Sequence, residues 1–293
     1  MIDVKAVQGR HFPPVRQTYS QKDVILYALA LGYGSDPVDP AQLRYVFEGG
    51  LQVVPTFANV LCHPGFWISD PVLGIDAARA VHGEHHVSFH KPLPAAGTVR
   101  AQTRVLGLED KGVDKGALLV VERLLCDDAS GVLLARIEQH TLLRGDGGFS
   151  AASPSVDKTS VRAPAMDRPP DHVLDLATLP QAALLYRLSA DMNPLHADPN
   201  AAGSAGFSRP ILHGLCTFGI VCRAVLEACA DGDPSRLGSL GGRFSAPVFP
   251  GETLRTEIWH SETRDGVQKL RVRCFSVQRN CVVFTNGIAT VIS

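Results

Sequence analysis

Four residues recur at one fixed spacing. Phe89, Pro92, Thr98 and Arg100 return as Phe244, Pro247, Thr253 and Arg255, each pair 155 positions apart (244 − 89, 255 − 100). A constant offset over a whole block marks an internal duplication, and a duplicated chain folds as two copies of one unit. Between the copies, from Gly145 to Asp171, the sequence turns to Gly, Ser, Pro and Ala, with Gly147-Gly148, Pro154, Pro164 and Pro169-Pro170. That is linker composition. It divides the chain into a first unit over 1–144, a linker over 145–173 and a second unit over 174–293.

After each shared proline a period of two follows. Val99, Ala101, Thr103 and Val105 alternate with Arg100, Gln102 and Arg104, and Leu254, Thr256 and Ile258 alternate with Arg255, Glu257 and Trp259. This is the pattern of a half-buried strand. Further strand-like runs cover 118–126, 132–143, 269–277 and 281–292. Each half also has an apolar helical stretch, Val24 to Leu31 in the first and Leu215 to Leu226 in the second. Long consecutive strands around one apolar helix, twice over, describe an α+β chain; a single unrelated α+β topology is the alternative.

The chemistry-bearing residues are unequally shared. The stretch Tyr186-Arg-Leu-Ser-Ala-Asp-Met-Asn-Pro-Leu-His-Ala-Asp-Pro199 places Asp191, Asn193 and His196 within six residues. Pro194 breaks the helix suggested by Leu184, Leu185 and Leu188 and leaves these polar groups on a turn. A carboxylate and an imidazole five positions apart can converge on one water molecule as a general acid/base pair. Taken singly, such residues are as readily a helix cap and a packed histidine. Asp198-Pro199 reads as a cap, with Pro at the first helical position.

This segment, with a second block at Gly206-Phe-Ser-Arg-Pro-Ile-Leu-His-Gly-Leu-Cys-Thr-Phe-Gly219, resembles the signature of the (R)-specific 2-enoyl-CoA hydratases, or hydratase 2, of the MaoC-like hot-dog proteins. Ala190 departs from the glycine usual before the Asp. The resemblance covers nearly the whole chain. It implies a double hot-dog fold, two fused units each with an antiparallel sheet wrapped around a central helix. It implies reversible hydration of trans-2-enoyl-CoA to (3R)-3-hydroxyacyl-CoA, with Asp191 and His196 as the acid/base pair and Asn193 orienting the water or the loop. Gly214 then becomes the backbone donor to the thioester carbonyl at a helix start, flanked by His213 and Leu215. Arg209, Arg243 and Lys91 are candidates for the coenzyme A phosphates. In the first half Gly32 stands where Asp191 stands in the second, and no His follows. That half is expected to be catalytically empty and, on the resemblance, to shelter the acyl tail, having lost polar groups and part of its helix. Within the same chemistry the substrate could instead be a branched or dicarboxylic enoyl-CoA. A hot-dog thioesterase or a non-catalytic acyl-CoA binder belongs to a different class; free thiol release would identify the first, and an acid/base pair is not needed by the second.

No cofactor or metal is expected. His82, His85, His86 and His90 lie close in sequence, but strand alternation is expected to send them to different faces, and no Cys-x-x-Cys or nucleotide-binding glycine motif occurs. A net charge of −1 gives no electrostatic footprint for nucleic acid. No apolar run approaches membrane-spanning length, Met1 to Ala6 lacks a secretory layout, and the terminal Thr-Val-Ile-Ser is not a peroxisomal address. A cytoplasmic enzyme is expected, compatible with a homodimer. The seven cysteines are scattered in apolar runs and are expected to be free thiols.

Overall fold

The computed structural model describes residues 1–150, 167–189 and 191–292. Ala190, Pro154 and Pro164 lie outside the described residues. The first half runs α1 (Val4–Gln8), β1 (Val15–Tyr19), α2 (Gln21–Ala30), α3 (Pro40–Leu43), β2 (Ala80–Phe89), β3 (Gly97–Asp110), β4 (Ala117–Asp127) and β5 (Leu133–Leu143). The second runs β6 (His172–Ala177), α4 (Ala182–Tyr186), α5 (Pro199–Ser204), α6 (Gly214–Cys229), β7 (Leu237–Phe244), β8 (Thr253–Arg264), β9 (Val267–Ser276) and β10 (Cys281–Ile292).

All of these strands join one ten-stranded antiparallel sheet in the order β1-β3-β4-β5-β2-β7-β10-β9-β8-β6. The order reads the same from either edge once the halves are exchanged, and β2 and β7 form the seam, with Glu84 opposite Arg243 and Ser88 opposite Ser239. The 155-residue offset holds in three dimensions: Thr98 pairs with Thr18, and its repeat Thr253 pairs with Ala177. This is the double hot-dog arrangement.

One expectation is corrected. The stretches Val24–Leu31 and Leu215–Leu226 are not counterparts. The first belongs to α2, which follows β1 as α4 follows β6 and packs against α4. The second belongs to α6, the sixteen-residue helix at the centre of the sheet. The element at the equivalent place in the first half is a six-residue 3-10 helix, Pro55–Val60. Periodicity could not separate the two cases, because both stretches are short and apolar.

Helix α6 is buried along its whole middle, Cys216 to Leu226. A helix apolar on every side has no solvent face and belongs inside a core. Phe218, Ile220, Val221, Val225 and Leu226 each contribute roughly 1.5–3 kcal/mol of burial. Arg223 is the charged exception, held by Glu227 one turn on at 2.7 Å and lying over the Tyr33 ring. A smaller core of Ile2, Val7, Leu73, Leu108, Leu119 and Leu143 closes the far end of the first half under α1. The cysteines are unpaired, as expected.

At the seam the second half needs a residue without a side chain. A Cβ on Gly242 would lie 2.3 Å from the Phe284 ring, which is wholly buried against Phe218 and Phe244 and has no room to retreat. Overpacking of this kind costs about 1–3 kcal/mol. Gly242→Ala is therefore expected to lower the unfolding free energy by that amount, seen as a lower urea midpoint at unchanged m-value followed by far-UV circular dichroism.

Candidate active site

Each motif residue is placed by a local turn. The Asp191 Oδ1 accepts from the Asn193 amide at 3.0 Å, and the Asn193 Oδ1 accepts from the Leu195 amide at 3.0 Å, capping the 3-10 turn Pro194–His196. Asn193 thus shapes the loop through its side-chain oxygen, while its NH2 has no partner among the described residues. Asp198 caps α5 through the Asn200 amide, with Pro199 at the first helical position.

These turns bring Asp191, exposed at the surface, beside two buried histidines: a carboxylate oxygen of Asp191 and one ring nitrogen each of His196 and His213 lie within 4.8 Å of one another. The backbone fixes both tautomers. His196 donates from Nδ1 to the Ile211 carbonyl at 2.8 Å, leaving the Nε2 lone pair available. His213 donates from Nε2 to the Asp191 carbonyl at 3.1 Å, and its Nδ1 is buried without a partner. The two rings stack, centroids 3.6 Å apart and planes inclined at 25°. Burial holds the pKa of His196 below the ordinary imidazole value; burial and the neighbouring His196 bring His213 down to about 4. Both rings are neutral at neutral pH, the state a base requires.

His213 is also the N-cap of α6. Its carbonyl accepts from Cys216 and Thr217, so the amides of Gly214 and Leu215 stand ahead of the first intrahelical bond. Free amides at a helix start carry partial positive charge. Gly214 lies against the Phe244 ring, and its amide makes no hydrogen bond among the described residues. A carboxylate, an imidazole lone pair and an anion-seeking amide therefore meet at one place, which suits proton transfer at a carbonyl compound whose oxygen becomes negative.

Residues 17–145 match the MFE-2 hydratase 2 N-terminal domain, and residues 161–277 match the MaoC like domain. The enoyl-CoA hydratase ChsH3 of Mycobacterium tuberculosis is 37% identical over 99% of both chains. The peroxisomal enoyl-CoA hydratase 2 of Arabidopsis thaliana is 40% identical over 84% of each. A MaoC-like dehydratase from Phytophthora capsici superposes with a TM-score of 0.83 at 30% identity, over 100% of this chain and 99% of its own. The chain belongs to the MaoC-like family, in its hydratase 2 branch.

The structure does not gather every candidate at this MaoC-like centre. Asp191, His196, His213, Gly214 and Leu215 adjoin one another. Arg209 is exposed and lies over the Phe249 ring. Arg243 leaves β7 on the face opposite to Phe244, pairing across the seam with Glu84, so it points away from Gly214. Lys91 follows the far end of β2 from His82, roughly 25 Å along the strand at about 3.3 Å per residue. The phosphate role assigned to Arg243 and Lys91 is thus not favoured by their places.

Two residues outside the motif feel the charge of Asp191, His63 on an exposed loop and His82 on β2. The His82 ring meets Phe244, against which Gly214 lies, at 5.1 Å, and burial lowers its pKa to about 4. His63 lies in an irregular loop with no periodic signal. His82 was masked by a bulge: the register with β5 slips between His82 and Glu84, which turns His82 onto the same face as His85, their rings 5.1 Å apart. On the opposite face Glu84, His86 and His140 have ligand atoms within 4.8 Å, a grouping not visible in sequence because His140 comes from β5.

The family's first half has lost each part of the machinery. Tyr27 and Tyr186 are 159 positions apart (186 − 27), and the same step carries Asp191 to Gly32, His213 to Val54 and Gly214 to Pro55. Pro55 opens the 3-10 helix and has no N–H to offer. It lines, together with Phe89, the repeat of Phe244, a recess of about 60 Å³ that His90, Lys91 and Ser235 also border. At Gly32, Arg223 of α6 reaches in and donates to the Leu31 carbonyl.

The depressed histidines set the acid limit of stability. His82 and His213 titrate near 4 and His85 well below its usual value, whereas in the unfolded chain each titrates near 6.5. Below 6.5 the unfolded chain binds more protons, so stability present above that pH is lost as pH falls towards 4. Urea midpoints across this window are expected to fall continuously, before most carboxylates titrate.

Proposed function

We propose that the chain adds water reversibly across the double bond of trans-2-enoyl-CoA, giving (3R)-3-hydroxyacyl-CoA. The observation that carries this reading is the His196 Nε2 lone pair and the Asp191 carboxylate, close together beside the free Gly214 amide. The hydratase and dehydratase names of the relatives support hydration of an enoyl thioester.

A water held between Asp191 and His196 loses a proton to Nε2 as its oxygen attacks C3. The C2=C3 electrons move towards the thioester, whose oxygen becomes enolate-like and accepts from the Gly214 amide, a bond that strengthens as charge develops. The double bond re-forms to oxygen as C2 takes a proton from the acid/base pair, so one water is added and the site is returned unchanged. The NH2 of Asn193 can hold the water in line. The first half takes the acyl tail in the space where a second central helix is absent.

Asp191→Asn and His196→Gln keep shape while removing a proton acceptor. Each is expected to lower kcat for crotonyl-CoA hydration by about a hundred- to ten-thousand-fold with the folded circular dichroism spectrum retained. The double variant is expected to be little worse than the worse single one, because the groups act as a unit. Near-native rates in the folded variants, or a (3S) product on chiral chromatography, would overturn the reading.

A further inference from the structure

Inside the first half three polar side chains occupy positions that are apolar in the second. Asn59, by the 159-residue step, corresponds to Phe218. His85, by the 155-residue step, corresponds to Leu240. Arg123 pairs with Thr103 across β3 and β4, as Val272 pairs with the repeat residue Ile258 across β8 and β9. Phe218, Leu240 and Val272 are ordinary members of the core. The resemblance implies a first half emptied of polar groups; at these positions it has instead gained them.

The three are bonded to one another but not satisfied. His85 Nε2 donates to the Asn59 Oδ1 at 3.0 Å, and Arg123 Nη2 donates to the Asn59 carbonyl at 2.6 Å. Asn59 and His85 are 1% exposed and Arg123 is 7% exposed. The Asn59 NH2 and the Arg123 Nε are buried without an acceptor, and Arg123 Nη1 makes no hydrogen bond among the described residues. None of the described carboxylates lies within ion-pair distance of Arg123. An unpaired guanidinium in an apolar interior is costly, and a core gains nothing from it where valine serves. The cluster adjoins the proposed centre: the His85 ring meets His82 at 5.1 Å, and His82 meets the Phe244 ring, against which Gly214 lies, at 5.1 Å. Burial also lowers the pKa of Arg123 to about 10, which leaves it cationic at neutral pH.

From this geometry we infer that the acyl compartment is built to receive a carboxylate, held by Arg123 and the Asn59 NH2, so that enoyl thioesters bearing a carboxylate on the acyl tail are the preferred substrates. A guanidinium and an amide NH2 suit a planar anion, and the bond from His85 to Oδ1 fixes which end of the Asn59 amide is left as a donor. The inference rests on the hydratase reading above and names the substrate class for it.

The test compares trans-2-enoyl-CoA thioesters of matched length, one series ending in methyl and the other in carboxylate. In the native chain kcat/KM is expected to favour the carboxylate by at least about tenfold at one or more lengths, the scale of one charge-assisted hydrogen bond. In Arg123→Met that ratio is expected to fall to about one. A native ratio near one at every length, or an equal gain from a terminal hydroxyl, would overturn the inference whether or not the variant folds. If no thioester is hydrated, crotonyl-CoA included, the reading of Asp191 and His196 fails instead. Thermal unfolding then decides the carboxylate site separately: free decanoate, and not its uncharged amide decanamide, is expected to raise Tm, and equal Tm values with the two would overturn it.

Discussion

One apolar helix fills the centre of a sheet made for two. Because α6 alone occupies the middle of the ten-stranded layer, the two halves cannot be equivalent, and the consequences run outward from it. Its N-terminus delivers free amides to the place where the motif turn brings Asp191 and His196. Arg223, near its middle, closes the matching turn of the first half. Where its twin would lie there is a six-residue 3-10 helix, Pro55–Val60, buried throughout. Burial of so much apolar helix is favourable; β6, β7, β8 and β10 pack on it together with the 3-10 helix Pro55–Val60 of the first half, and the β2–β7 seam joins the two halves.

The asymmetry is written in small residues. Gly214 and Pro55 both begin a helical element against a phenylalanine, yet one offers a hydrogen-bond donor and the other has none. His213 and Val54 are the caps of those elements, one able to order the catalytic loop through a backbone carbonyl and the other inert. Similar placement against the sheet therefore gives a free helix-start amide in one half and none in the other. The fold sets where a site can be; these side chains decide whether it is one.

The architecture was largely legible in the sequence because a duplication constrains pairing as well as pattern. The strands over 118–126 and 281–292 begin and end close to where alternation places them, and Asp191, Asn193 and His196 meet as their spacing implies. What could not be read depends on contacts distant in sequence. The role of α2 was hidden because an apolar stretch of helical period does not say which neighbour it packs on. His63 sits in an irregular loop, and His82 is turned inward by a bulge that alternation cannot reveal. Arg243 and Lys91 looked suitable by charge, but strand face and strand length carry them elsewhere. Arg123 reads as one more charge in a strand until its register identifies it with Val272.

The stacked pair His196 and His213 has a wider consequence. Two imidazoles 3.6 Å apart in a poorly solvated place can share at most one positive charge, since a second would face the first at contact distance. The centre is thereby a store with room for a single proton, and occupancy by one ring forbids occupancy by the other. A device of that capacity must hand back what it takes before it can act again.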